Sequence, residues 1–145
     1  TMIDLPRVAL TISAVVNIIL MVCLVLIPET CVNMIYGIGP LDPNDPSGEV
    51  ALFLGAGASA YAGGVAIMMI LALVDKSPGA QKLALTSYGY ACVIAGLYTL
   101  LPFPIAFPGP LSRRIFYCCQ CFVLALLNLV AATRVYVEGY TTILE

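Results

Sequence analysis

Histidine and tryptophan are absent from this 145-residue chain, and only 10% of its residues are charged. Without histidine the chain lacks the commonest acid/base at neutral pH and the commonest metal ligand. Serine–histidine and cysteine–histidine catalytic pairs are excluded with it. A water-facing surface needs about 25% charged residues, so the shortage of charge argues against a soluble fold. Net charge is −2, the pI about 4.9, and no basic cluster occurs of the kind that nucleic acid attracts. No phosphate-binding glycine loop, dinucleotide fingerprint or zinc-protease motif is present. No cysteine pair has zinc-ligand spacing, so no metal site is expected.

What the chain does have is hydrocarbon. Hydrophobic residues make up 61% and mean hydropathy is +1.03. A chain this short cannot hide that much apolar surface from water. Four nearly uncharged apolar runs, 8–27, 50–74, 83–101 and 115–137, are each long enough to cross a bilayer core of about 30 Å as a helix. They are about twice the length of a spanning strand and do not alternate. The expectation is an all-α integral membrane four-helix bundle, one domain over 1–145, with both termini on the same side. Arg7, Lys76, Lys82 and Arg134 fall on that side and Arg113 and Arg114 on the other. This bias favours termini facing the cytoplasm, stroma or matrix.

The second run carries a packing signal. Gly55, Ser59 and Gly63 recur every four residues, and Ala56, Ala60 and Gly64 form the next ridge. Small residues at this spacing let another helix approach closely, within the chain or in a partner. Two amides, Asn17 and Asn128, fall deep in the first and last spans. An unpaired amide in hydrocarbon costs roughly 4–8 kcal/mol, so each needs a partner. Their equal distance from the ends of the predicted spans suggests a mutual hydrogen bond. The competing reading is contact with a pigment, lipid or quinone. Tyr61, mid-span beside the small residues, also needs a partner for its hydroxyl and is, with the two amides, a candidate pigment or lipid contact.

The polar connections are read as follows. Pro28 and Pro102 close spans because proline cannot continue the hydrogen-bond ladder. Ser47 is a candidate cap for the second span. A short apolar piece, 31–38, suits the membrane interface. Residues 102–110 read PFPIAFPGP, a stiff segment. Its Phe103, Ile105 and Phe107 suit either insertion at the headgroup boundary or docking of a partner subunit. Of six cysteines, Cys31 and the cluster Cys118, Cys119 and Cys121 share one side. They would behave as small hydrophobes, or form a Cys31 disulfide to Cys118 or Cys119 in an oxidising compartment.

No ionisable residue is expected at mid-membrane, where proton-coupled carriers usually have one. The chain is therefore expected to be non-catalytic. In general form it resembles accessory subunits of photosynthetic or respiratory complexes. That resemblance implies integral membrane partners, lipid, and bound chlorophyll or carotenoid in the photosynthetic case. An organellar location is expected, the thylakoid ahead of the mitochondrial inner membrane, and the opening Thr1 fits an imported, processed product. The alternative is a small helical carrier or channel for a neutral or lipidic solute.

Overall fold

The computed structural model describes residues 4–36, 46–100 and 111–135. Their regular structure is entirely helical: α1 Leu5–Leu26, α2 Pro28–Tyr36, α3 Pro46–Asp75, α4 Pro78–Leu100 and α5 Leu111–Thr133. All but α2 include a stretch long and apolar enough to cross a membrane. The chain is an integral membrane protein built as a four-helix bundle with a short additional helix.

The helix ends follow from local chemistry. The Asp4 carboxylate accepts from the Arg7 backbone N–H at 3.2 Å, capping α1. Ile27 leaves helical geometry at φ −137°. Pro28, expected only to stop the first span, also starts α2, where its missing N–H costs nothing. Pro46 and Pro78 begin α3 and α4 in the same way, which puts Ser47 inside the first turn of α3. Ser77 caps α4, its Oγ accepting from Ala80 N–H at 3.2 Å. Between α3 and α4, Lys76 takes the left-handed conformation at φ 57°, which reverses the chain in two residues.

Size decides which residues go inside. The core includes Ala9, Ala14, Ala62, Ala66, Ala72, Ala84, Ala125, Ala131 and Ala132, whereas Leu26, Phe53 and Val74 are at least 70% exposed. Lipid solvates leucine as well as a protein interior does, so helix association here depends on close backbone approach. Two helix pairs pack most closely, α1 with α3 and α4 with α5. The pairs meet through Leu10, Leu85, Tyr88 and Met69 in a common core, while no Cα of α3 comes within 8 Å of one on α5.

The predicted small-residue ridges diverge in position. Gly55 and Ser59 are buried and Gly63 is half-buried. Ser59 Oγ donates to the Met21 carbonyl at 3.4 Å, and a Cβ on Gly63 would lie 2.9 Å from Met21 Sδ. This ridge faces α1 of the same chain. Ala56, Ala60 and Gly64 are exposed, and a Cβ on Gly64 would meet nothing within 4 Å. Because the Met21 thioether is flexible, Gly63→Ala is expected to shift stability by less than about 1 kcal/mol, read as a detergent melting curve close to wild type. A loss above about 2 kcal/mol would show that the α1–α3 seam cannot yield there.

The arginines serve the frame as well as the topology. Arg113 Nη1 donates to the Met34 carbonyl at 2.7 Å, and Arg114 Nε to the Thr99 carbonyl at 2.8 Å. Each places a cation on a carbonyl in the last turn of a helix, α2 or α4, where dipole and orphan acceptor both favour it. The residues 102–110 between α4 and α5, with Phe103, Ile105 and Phe107, lie outside the described residues.

Candidate functional site

Two features share the middle of the bundle: a chain of buried hydrogen bonds and a cavity beside it. The chain begins on α1. Ser13 and Asn17 are one turn apart and therefore face the same way. Asn17 Nδ2 donates to the Ser13 carbonyl and to the Tyr88 hydroxyl of α4, both at 2.8 Å. Ser13 Oγ donates to Asn128 Oδ1 of α5 at 3.0 Å, and Asn128 Nδ2 donates to the Leu124 carbonyl at 2.8 Å. Cys92, one turn along α4 from Tyr88 and buried like it, lies on the same helix face. Ser13 and Asn128 have no exposed surface and Asn17 has 3%.

Asn17 and Asn128 thus belong to one network, but the mutual hydrogen bond expected from their depths in the predicted spans is not made. The reason is one of register. The last helix ends at Thr133, about one turn before the predicted end at 137. The first helix begins at Leu5, before the predicted start at 8, so Asn17 lies farther from its helix end than Asn128 does from its own, and it is Ser13, one turn nearer that end, that meets Asn128 while Asn17 meets Tyr88. Ser13 was not singled out from the sequence. Its signal was a Ser-x-x-x-Asn spacing within an apolar run, which puts two hydrogen-bonding groups on one helix face.

Beside this network lies a cavity of about 360 Å³. Its inner wall holds Asn17, Tyr88, Cys92 and Cys121 and its outer wall Met34, Tyr61, Arg113, Phe116 and Gln120. The inner residues are buried and the outer ones exposed. From Arg113 to Leu124 it follows α5 for eleven residues, about 16 Å at 1.5 Å per residue, or half a hydrocarbon core. Past that depth Leu10, Ser13, Leu85 and Asn128 are fully buried and close the bundle. Among the described residues the cavity is therefore blind at this inner end, and it opens toward Arg113 and toward the gap between α3 and α5. Its volume is in the range of small-molecule sites, which are typically mostly apolar with a few placed polar groups.

The remaining predicted positions are placed as follows. All six cysteines are free thiols. Cys31 is buried beside Cys23; burial first and this neighbour second push its thiol up from the ordinary value. Cys118 and Cys121 are buried on one face of α5 and Cys119 is exposed. Among the described residues no cluster of three or more Cys, Asp or Glu side chains could hold a metal. A second, shallower groove of about 460 Å³ runs between α3 and α4 near Lys76, lined by Gly64, Ile67, Leu71 and Leu83. Compared with known proteins, the chain matches no family model, no curated protein and no solved structure.

Proposed function

We propose that this protein is a non-catalytic intramembrane binding protein for a small lipidic molecule, which it takes up from one face of the bilayer. The blind cavity of about 360 Å³ between the two helix pairs carries this reading. A channel needs a continuous path, and the fully buried Leu10, Leu85 and Asn128 beyond the inner end of the cavity speak against one. Apolar walls suit a hydrocarbon body, and the polar inner residues suit an orienting group.

Native mass spectrometry of protein extracted in mild detergent provides the test. Wild type is expected to retain an apolar small molecule. Ala58→Phe on α3 and Ala95→Phe on α4 fill the cavity from different walls and are expected to expel it while the bundle stays folded. Retention of that molecule by both folded variants would overturn the reading.

A second reading has its own observation. The outward ridge Ala56, Ala60 and Gly64 adjoins the apolar groove at Gly64, Ile67 and Leu83, a surface fitted to close approach of another transmembrane helix. On this reading the chain is an accessory subunit of an organellar complex, photosynthetic or respiratory, with chlorophyll or carotenoid as candidate cargo in the thylakoid case. Its partners are other integral membrane subunits and lipids, and not nucleic acid. Co-migration with a large complex on native electrophoresis, lost on Gly64→Ile, is its expected result. A wild-type protein that migrates alone after gentle extraction would count against it.

A further inference from the structure

Two polar side chains in the cavity wall have no hydrogen-bond partner among the described residues: Tyr61 on α3 and Gln120 on α5. Both lie well inside spanning helices. Gln120 is seven residues below Arg113 on α5, about 10 Å at 1.5 Å per residue. Tyr61 lies between Ser59 and Gly63, which both meet Met21 near the same depth of α1. The two side chains therefore line one stretch of cavity from helices whose backbones stay more than 8 Å apart, Cα to Cα. Nothing in the fold requires them to be polar. Asn17, Ser13, Tyr88 and Asn128, in contrast, are hydrogen-bonded to one another or to backbone.

Resting on the binding reading above, we propose that Tyr61 and Gln120 hold the head of the ligand, and that this head is neutral and carries a carbonyl. A hydrocarbon tail between them would leave a phenol and an amide unpaired in a medium without water, at several kcal/mol for each. A carbonyl accepts from the Tyr61 O–H and from the Gln120 NH₂. A charged head is disfavoured because the cavity offers no counter-ion at this depth: its arginine, Arg113, sits at the mouth and already donates to Met34. The tail then leaves through the α3–α5 gap or toward Phe116 and Met34 at the entrance. The chemistry is shared by prenylated quinones and by acylglycerols, so both serve as probes, with oleate as the anionic comparator.

The experiment measures equilibrium binding of the three probes to detergent-solubilised full chain. At least one neutral probe is expected to bind wild type more tightly than oleate does. Tyr61→Phe and Gln120→Leu keep size and remove the hydrogen bond, and each is expected to weaken that probe about tenfold, the worth of one such bond. Without ligand, both variants are expected to melt at or above the wild-type temperature, because a polar group has left hydrocarbon. A merely structural role would lower it. Binding to the quinone alone or to the acylglycerol alone identifies the source and supports the assignment equally. The proposal falls if neither neutral probe binds, if both variants bind as wild type does, or if oleate binds tightest with the same dependence on Tyr61 and Gln120. Expulsion of the endogenous molecule by Ala58→Phe and Ala95→Phe, with normal binding in Tyr61→Phe and Gln120→Leu, would retain the pocket and discard the head assignment.

Discussion

Gly89→Ala is expected to destabilise the bundle by about 1–3 kcal/mol, the usual cost of forcing extra volume into a close-packed core. Gly89 is buried on α4. A Cβ there would stand 2.7 Å from Leu129 Cγ and 2.8 Å from Leu129 Cδ2 on α5, with the Ala125 carbonyl 3.5 Å away. These are branch and methyl atoms held by the α5 backbone, so relief requires a changed Leu129 rotamer or a wider helix separation. At Gly63 the obstructing atom is a thioether sulfur that swings aside. Two glycines that look alike in the sequence should therefore respond differently. Leu129→Ala supplies the control: in the double variant its methyl groups are gone, and the penalty of Gly89→Ala should shrink by 0.5 kcal/mol or more. Thermal melts of the four proteins in one detergent give the cycle. Strict additivity, or a Gly89→Ala protein as stable as wild type, would mean that this seam is not closely packed.

Asn128→Leu should lower stability by about 1–3 kcal/mol, because it leaves the Ser13 hydroxyl facing a hydrocarbon side chain in a site without water. Measured interhelical hydrogen bonds in membranes average about 0.6 kcal/mol and reach about 1.7, so the upper part of this range requires misfit as well as a lost bond. Ser13 can turn to its own helix carbonyl and recover part of the loss. Ser13→Ala combined with Asn128→Leu removes donor and acceptor together and is expected to be milder than Asn128→Leu alone. That inversion is the signature of an orphaned polar group. Were the double variant the worse of the two, Ser13 would be stabilising the bundle through something other than this bond, which both variants lack, and the orphan account would fail.

The need for partners was legible in residue type alone. Asn17, Asn128 and Tyr61 are costly in hydrocarbon wherever the chain places them. Which partner each takes was not legible. Asn17 meets Tyr88 and Asn128 meets Ser13, since α1 begins before and α5 ends before the limits that hydropathy suggests, which sets the two amides at different distances from their helix ends. Gln120 was not singled out from the sequence, and only the extent of α5 from Leu111 and the wide separation of the α3 and α5 backbones put it in a cavity wall. The Gly55–Ser59–Gly63 ridge announced a close contact without saying with what, since glycine admits an internal neighbour and a foreign one equally well.

The amino-acid sequence by itself determined the solvent and the threading. Length, hydropathy and scarce charge admit only helices that satisfy their own backbone in lipid, and an even number of spans returns the chain to its starting side. The tertiary structure alone decided the rotation of each helix, the pairing of α1 with α3 and of α4 with α5, and the cavity left between the pairs. The reason is that bilayer-facing and core-facing residues are both apolar here. Hydrophobicity, which orients a helix in a water-soluble protein, distinguishes the faces only weakly, and the choice passes to shape: small side chains where backbones meet, hydrogen bonds where two polar groups fall at one depth, and empty volume where neither occurs.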